Sequence, residues 1–418
     1  MRSRAVRHAG RCIGLVAMAG APVAANAQDV QASMVASVGG SVESNPYNEA
    51  NPGGAAVAAT AELRPTLSAR DERTSVTING MVQLREFLRR YGLEDNYSVD
   101  ANIVRRASDS LTFRGNSSFS STEGGFNGFG RPSLSVTTPV PTTPDPLDPT
   151  PIVDPLIGLS DVNILGQRTR VTSFGAGLGA DLTLGAYSSL SADFDARALR
   201  FQTAGYDEYN SLHGELHWTY QLDEGISAGL IAGYGKTNYL DLAQGDAGTA
   251  DVLASLDTKF GPRWTVSVSV GGSFTTIDGR GGRPDVHYSS ISTRLHVCWQ
   301  GEFSQFCLGG QRSPQPAANG NVRVSNTVTA DFSTRLSDRE HLYLSGSYAQ
   351  TGRSRDLTIG AQPALDFVSA SARYDNQLNN KLSAFVSANL SKTYSPLVRR
   401  KANVGLAIGL QYSFGAGQ

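Results

Sequence analysis

The sequence predicts an all-β fold: a closed antiparallel transmembrane β-barrel of about eighteen strands, with sixteen strands as the alternative. Three observations lead to this prediction. The chain begins with an export signal, the remainder alternates apolar and polar residues, and the alternating runs are longer than the strands of soluble sheets. In such a barrel, short periplasmic turns alternate with longer loops outside the cell.

The N-terminus has the three regions of a secretory signal peptide. Four arginines and no acidic residue occupy the first eleven positions, and an apolar stretch over Cys12–Ala25 follows. The segment Ala25-Asn26-Ala27 then has the small-residue pattern that signal peptidase accepts. We therefore expect residues 1–27 to be a signal peptide and residues 28–418 to form the barrel.

Composition narrows the class of exported protein. Without the signal peptide, 32 basic residues stand against 37 acidic ones, a formal charge of −5, which argues against a nucleic-acid-binding protein. No apolar run reaches the ~18 residues that a membrane-spanning helix needs. The chain is therefore periplasmic, extracellular or an outer-membrane barrel, and the residue pattern decides among these.

Alternation with period two is the strongest pattern in the chain. The segment Trp264–Phe274 reads WTVSVSVGGSF, which puts tryptophan, valines and phenylalanine on one face and threonine and serines on the other. Several such runs hold 10 to 15 residues, whereas soluble strands average about five or six and membrane-spanning strands need ~9–11. This length favours a lipid-facing apolar side and a polar, water-facing lumen.

Eighteen candidate strands follow from this pattern. They are centred near residues 35, 60, 80, 101, 115, 175, 195, 215, 230, 255, 269, 293, 307, 329, 345, 369, 386 and 408.

The connections between candidate strands alternate in length, as in outer-membrane barrels. The predicted short turns lie at residues 70–73, 222–225, 261–262, 301–302, 337–340 and 376–380. The predicted long loops span residues 45–54, 122–163, 236–248, 278–285, 313–320 and 352–362. The loop at about 122–163 is rich in proline, which disfavours sheet pairing. Two interpretations of this loop are equally favoured: it folds inward and gates the pore, or it is a mobile surface loop.

Aromatic residues and the C-terminus support the same fold. Aromatic side chains fall beside predicted short turns, where they would form an interfacial girdle. The aromatics beside these turns are Trp218, Tyr220, Phe260, Trp264, Trp299, Phe306, Tyr412 and Phe414. Gly409, Tyr412 and Phe414 resemble the terminal signal by which barrels are recognised for assembly, although four residues follow Phe414 and Ala407 occupies a commonly polar position.

Charged residues of both signs fall on the predicted lumen face. There they either set a transverse field that selects solutes or form a network that only stiffens the wall. The predicted lumen-lining residues are Arg85, Asp100, Arg114, Asp193, Asp195, Arg197, His213, Glu215, His217, Asp257, Arg294, Arg323, Asp331, Arg335 and Arg373.

Two small clusters invite a chemical interpretation. His213, Glu215 and His217 share one face of a strand, but the two histidines would lie about 13 Å apart, too far for one metal ion. We therefore favour polar lumen lining and expect no metal site. Cys298 and Cys307 flank a tight turn in a register that opposes them directly, which predicts a structural disulfide in an oxidising compartment.

Enzymatic motifs are scarce. The sequence has no serine-hydrolase elbow, no phosphate-binding glycine loop, no metalloprotease helix and no zinc-type cysteine pairing. We therefore expect no catalytic residue and no cofactor.

A family resemblance adds a more specific expectation. The stretch Ser44-Asn45-Pro46-Tyr47 and the later Leu84–Tyr91, which reads LREFLRRY, resemble the β-barrel porins associated with exopolysaccharide loci of Gram-negative bacteria. The likeness extends loosely over the mature chain. It implies a role in polysaccharide export or in its support at the cell surface.

A passive outer-membrane pore for polysaccharide or small polar solutes is the leading hypothesis. A structural or adhesive barrel with a filled lumen and an outer-membrane hydrolase are the alternatives. The expected partners are outer-membrane lipid and lipopolysaccharide, the barrel-assembly machinery, and polysaccharide with its export components.

Overall fold

The protein forms one closed sheet of eighteen antiparallel strands. The computed structural model describes residues 29–123, 168–203, 206–240, 245–279, 284–317, 322–352, 364–396 and 398–415. The predicted signal peptide and most of the proline-rich loop lie outside these residues. No helix within the described ranges is long and apolar enough to cross a membrane.

The strands follow one another around the barrel in chain order. They are β1 (Asp29–Glu43), β2 (Ala56–Arg70), β3 (Thr74–Phe87), β4 (Leu93–Arg106), β5 (Leu111–Glu123), β6 (Arg170–Thr183), β7 (Ser188–Phe201), β8 (Tyr209–Asp223), β9 (Ile226–Tyr239), β10 (Ala247–Phe260), β11 (Trp264–Ile277), β12 (Val286–Gln300), β13 (Ser304–Pro316), β14 (Val322–Ser337), β15 (Glu340–Thr351), β16 (Leu365–Gln377), β17 (Leu382–Tyr394) and β18 (Asn403–Gly415).

Strand β1 closes the barrel. Its Gly39 lies opposite Thr60 of β2 on one side and opposite Gly409 of β18 on the other. Closure leaves no sheet edge with unpaired backbone groups, which a barrel in lipid requires. The predicted fold class is confirmed, and each of the eighteen predicted centres lies within one strand.

Strand faces differ: the outward face is apolar, and the inward face is rich in polar and small residues. On β18, Leu406 and Ile408 point outward and are 60% and 64% exposed, while Asn403 and Gly405 point inward. The same alternation runs through β11, where Val268 and Val270 are exposed on the outward face. An exposed apolar exterior of this extent is incompatible with a monomer surrounded by water.

Connections alternate between two to four residues at one end of the barrel and five or more at the other. We call these the tight-turn end and the long-loop end. At the tight turn after β2, the carboxylate of Asp71 accepts hydrogen bonds from the backbone N–H groups of Arg73 (2.7 Å) and Thr74 (2.6 Å). These bonds lower the pKa of Asp71.

Some predicted loops are too long. The segment predicted as a loop over residues 236–248 belongs partly to β9, which continues to Tyr239, and to β10, which begins at Ala247. Likewise β13 continues to Pro316 inside the loop predicted over 313–320, and β5 continues to Glu123. The polar residues at these positions are typical of loops. In the structure, however, the hydrogen bonds between neighbouring strands continue through them, beyond the apolar part of each strand.

Aromatic side chains form two outward belts. The tight-turn belt contains the predicted girdle: Trp264 lies opposite Trp299 with ring centroids 6.5 Å apart, and Tyr412 packs on Phe414 at 4.5 Å. Nearer the long-loop end, Phe119 packs against Phe174 at 4.9 Å on the same outward face. An apolar zone therefore lies between two aromatic belts.

The C-terminal segment is an integral strand of the barrel. Tyr412 and Phe414 of β18 lie opposite Ala36 and Met34 of β1, with both rings outward. Gly409 faces inward, where an added Cβ would lie 2.5 Å from the ring of Phe385. Recognition of this segment by the assembly machinery stays a prediction.

Candidate functional site

The polar interior is the candidate site, because side chains from non-adjacent strands meet there. Arg294 of β12 contacts Glu215 of β8, although three strands separate them. Arg114 of β5 contacts Asp193 of β7 across β6. Only the concave face of a closed sheet allows such contacts, so these side chains define the inside of the barrel.

All fifteen predicted lumen residues lie on this inward face by strand alternation. Arg85 and Arg323 are buried, at 1% and 4% exposure, and the other predicted positions are half-buried or exposed. Asp195, Asp331 and Arg335 are among the exposed ones. The interior therefore carries accessible charges, as an aqueous lumen requires.

Four of the predicted residues join into a continuous row, which we call the charged belt. Arg114 contacts Asp193, Asp193 lies directly opposite Glu215, and Glu215 contacts Arg294. Along the row from β5 to β12, an arginine stands at each end and the two carboxylates stand side by side between them. Mixed charges of this kind produce a field across the lumen.

The pair between Arg294 and Glu215 is the longest link in the charged belt. Two guanidinium N–H groups of Arg294 donate to the two carboxylate oxygens of Glu215 at 3.0 and 2.6 Å. Such a two-contact arrangement fixes orientation as well as charge. The four strand spacings from β8 to β12 cover ~19 Å of wall, so this part of the wall must curve tightly for the side chains to meet.

Glycines on the inward face of β9 accommodate this curvature. A Cβ built on Gly233 would lie 2.8 Å from Asp251 of β10, and one on Gly229 would lie 2.6 Å from Ser255 and 2.9 Å from His217. Side chains of β8 and β10 therefore occupy the space above β9. The absence of side chains at these positions lets the flanking strands approach one another.

The same arrangement recurs at the other end of the charged belt. Arg114 reaches over β6, with Nε 2.8 Å from Asp181 and Nη2 3.1 Å from Asp193. A Cβ at Gly179 would lie 2.5 Å from the Asp193 carboxylate. The Ser191 hydroxyl also donates to Asp181 at 2.8 Å. Asp181 therefore contacts side chains of both β5 and β7.

The two predicted histidines take part in this interior without forming a shared site. His217 Nε2 lies 3.1 Å from the Ser255 hydroxyl. His213 lies opposite Asp195 of β7. The two rings flank Glu215 from opposite sides along β8, in keeping with polar lining.

The remaining predicted charges lie outside the charged belt. Asp100 accepts a hydrogen bond from Asn79 at 2.8 Å. Arg373 pairs with Asp375 at 2.5 Å and lies 4.2 Å from the centre of the Phe385 ring. The other members of the predicted set, spread over the inward faces of β7, β10 and β14, are Asp195, Arg197, Asp257, Arg323, Asp331 and Arg335.

Away from the charged belt, hydroxyl groups pair across the inward faces of β15 and β16. Ser345 pairs with Ser371 and Ser347 with Ser369 through side-chain hydrogen bonds of 2.6 Å. Hydroxyl groups both donate and accept, so these four serines present neutral polar groups to the lumen.

At the long-loop end, the segment after β1 folds into the barrel mouth. The backbone N–H of Asn45 donates to Asn403 Oδ1 at 2.9 Å, and the Asn45 side chain donates to the carbonyl of Lys401 at 3.0 Å. Asn45 also binds both backbone groups of Glu49, donating to its carbonyl and accepting from its N–H. These bonds fasten residues 44–49 to the start of β18.

Tyr47 fills the space inside this mouth. It is fully buried and packs on Tyr91 at 4.5 Å and Phe87 at 6.1 Å between ring centres. The guanidinium of Arg168 lies 5.6 Å from the Tyr47 ring. Burial raises the pKa of the Tyr91 hydroxyl, and the hydrogen bond it donates to Glu49 raises it further.

A buried ion pair between Arg85 and Glu43 lies next to the mouth, on the side nearer the middle of the barrel. Arg85 of β3 reaches over β2 to Glu43 of β1, and Asn403 donates to the same carboxylate at 3.2 Å. The Arg85 guanidinium also lies 4.4 Å from the centre of the Phe87 ring. Sequence reasoning identified Arg85 but missed Glu43, Tyr47 and Asn403 as site residues. Ser44–Tyr47 was noted only as a family resemblance.

The two cysteines lie on the inward face at the tight-turn end. Cys298 of β12 and Cys307 of β13 are directly opposed and joined by a disulfide, in the register that opposes Trp299 and Phe306. His296, two residues before Cys298, places its Nε2 3.4 Å from the Cys298 sulfur. Sequence reasoning did not include His296.

Comparisons with known proteins give structural neighbours only. No family model and no curated protein matches the sequence. The FrpB iron transporter from Neisseria meningitidis (F5-1 variant) aligns with a TM-score of 0.45 and 8% identity, covering 94% of this chain and 84% of that one. OccAB3 of Acinetobacter baumannii gives 0.43 and 11%, covering 93% and 100%.

A third neighbour is OccK2 (OpdF) of Pseudomonas aeruginosa in complex with glucuronate. It aligns with a TM-score of 0.44 and 11% identity, covering 93% of this chain and 99% of that one. At these identities and TM-scores, the similarities assign neither a ligand nor a family to the present chain.

Proposed function

We propose that the protein is an outer-membrane pore that admits small polar solutes. The observation that carries this proposal is the contrast between an exposed apolar exterior and an interior rich in polar and charged side chains. Lipid satisfies the exterior, and water satisfies the interior. Barrels of sixteen to eighteen strands are wide enough to hold an aqueous channel.

Strand length supports a membrane location. A strand of 14 residues such as β11 covers ~46 Å at ~3.3 Å per residue. Tilted by about 45°, it spans ~33 Å, close to the ~30 Å hydrocarbon core of a bilayer. The two aromatic belts bound the apolar zone at the levels where lipid headgroups would lie.

The charged belt suggests the selectivity of the pore. Its two arginines and two carboxylates, together with the serine pairs of β15 and β16, favour solutes that carry both hydrogen-bonding groups and modest charge. The expected permeants are small polar molecules rather than large apolar ones. Export of polysaccharide, which the sequence resemblance implies, stays a prediction within this same class of function.

A filled structural barrel is the second candidate, because the mouth is tightly packed. Glu43, Asn45 and Tyr47 are fully buried at the long-loop end. A barrel closed there would use its loops rather than its lumen.

Conductance distinguishes the two candidates. The purified, folded protein is inserted into a planar lipid bilayer, and single-channel currents are recorded in potassium chloride. A pore gives discrete, reproducible conductance steps. Folded protein that inserts without current would contradict the pore and support the filled barrel. Liposome swelling with sugars and oligosaccharides of increasing size then measures which solutes pass.

A further inference from the structure

We propose that Cys298, Cys307 and His296 form a metal site that the disulfide keeps closed and that reduction opens. One ligand atom from each of the three residues lies within 4.8 Å of the other two. This is the one such group of three or more candidate ligands among the described residues. Metal binding at these three residues is independent of the passage of solutes through the lumen.

The backbone register brings the three ligands together. Cys298 and His296 are two residues apart on β12, so both project inward, and Cys307 lies directly opposite Cys298 on β13. The Cys298 sulfur is 3.4 Å from His296 Nε2. Ligand atoms around tetrahedral zinc, bound at 2.0–2.3 Å, stand about 3.6 Å from one another. Little rearrangement is therefore needed for the three atoms to surround one ion.

The donor types identify the metal class. Two thiolates and one imidazole favour zinc and chemically similar ions such as cobalt(II) and cadmium(II) over magnesium or calcium. A fourth position is open to water, because His296 is exposed to the lumen. Asp331 of β14 lies opposite Cys307 in the ladder, but its carboxylate is not among the ligand atoms that lie within 4.8 Å of one another.

The redox step is a simple reduction. A phosphine reductant breaks the S–S bond and is oxidised to the phosphine oxide, which takes its oxygen from water. The two protons of that water go to the two sulfurs. The metal ion then displaces both thiol protons as it binds. In the disulfide form neither sulfur is a thiolate, so the site lacks two of its three ligands.

Cobalt(II) is a direct probe of this site. The folded protein in detergent micelles is reduced with a phosphine. The phosphine is then removed under anaerobic conditions, and the protein is titrated with cobalt(II). We expect one equivalent to bind with a thiolate-to-cobalt absorption band, and zinc(II) to displace it. The disulfide form should show no such band. Migration of the folded barrel on a non-boiled gel verifies the fold of each sample.

Variants identify the ligands. Cys298→Ser and Cys307→Ser should each weaken binding strongly. His296→Ala should lower the cobalt affinity about tenfold or more. Even residues that only hydrogen-bond to metal ligands contribute about 10–100-fold to metal affinity, and His296 is proposed as a ligand itself. His341→Ala removes another inward histidine, on β15, and serves as the matched control with unchanged affinity. Equal cobalt binding by His296→Ala, or by the disulfide form, or none by the reduced protein, would overturn the proposal.

Discussion

Arg294 and Glu215 form a two-contact ion pair across the inside of the barrel, although β9, β10 and β11 lie between their strands. The pair therefore depends on closure and local curvature of the wall as well as on the two residues. It places opposite charges at one end of the charged belt. Changes at either residue should alter which ions pass.

Removing Arg294 should make the pore more cation-selective. Arg294→Ala leaves the Glu215 carboxylate without its main partner, so the local field becomes more negative. Glu215→Gln should shift selectivity in the opposite direction, and the double variant should lie between them. The measurement is the reversal potential in a potassium chloride gradient. Arg335→Ala, an exposed arginine at the tight-turn end, is the control and should shift the potential less.

Adding a methyl group at Gly271 should destabilise the barrel. A Cβ there would lie 1.9 Å from the carbonyl oxygen of Val252 and 2.6 Å from Leu253 Cα, so the backbone of β10 or β11 must move. We expect Gly271→Ala to cost about 1–3 kcal/mol. Gly310→Ala, whose Cβ would meet its nearest neighbour at 3.7 Å, should be nearly neutral. Unfolding in urea, followed by gel migration, compares the two, and equal midpoints would contradict this packing account.

Breaking the buried pair below the mouth should be more costly still. Arg85→Ala leaves the fully buried Glu43 carboxylate without its guanidinium partner, for which we expect a loss of about 3–5 kcal/mol. The double variant Arg85→Met with Glu43→Leu removes both charges and should recover much of that loss. Urea midpoints test this order. A double variant as unstable as Arg85→Ala would show that the charge left behind is not the cause.

Opening the mouth should increase the current through the barrel. Tyr47→Ala removes the ring that packs against Phe87 and Tyr91, so we expect a larger single-channel conductance. Tyr187→Ala, which removes an exposed ring in a tight turn, is the matched control and should leave conductance unchanged. Unaltered conductance in Tyr47→Ala would mean that Tyr47 does not limit the passage.

The strands and their faces were predictable from the sequence because successive residues of a strand point to opposite faces of the sheet. The alternation of apolar and polar residues therefore assigns each side chain to a face. Val268 outward and Ser267 inward needed no knowledge of the remaining chain. Contacts across the lumen were not predictable, because they depend on curvature that only the closed sheet creates. Glu215 and Arg294 were each placed on the lumen face, but nothing in their spacing of 79 positions pairs them.

Two further differences have local causes. Lys236 resembles loop sequence, yet the ladder of β9 continues through it to Tyr239. The cysteine spacing predicted the disulfide and did not include His296. The signal was present: a histidine two residues before a strand cysteine must share its face. Tyr47 and Asn45 carried no periodic signal, because a loop that folds back into the mouth has no regular pattern.

Chemical labelling along β11 in lipid vesicles tests the division between the two faces most directly. In a background in which serine replaces Cys298 and Cys307, single cysteines at positions 265, 267, 268 and 270 are exposed to a water-soluble maleimide. We expect the variants of Thr265 and Ser267 to react through the aqueous lumen and those of Val268 and Val270 to stay unlabelled in lipid. Labelling of all four positions, or of the valine positions alone, would contradict the proposed membrane barrel.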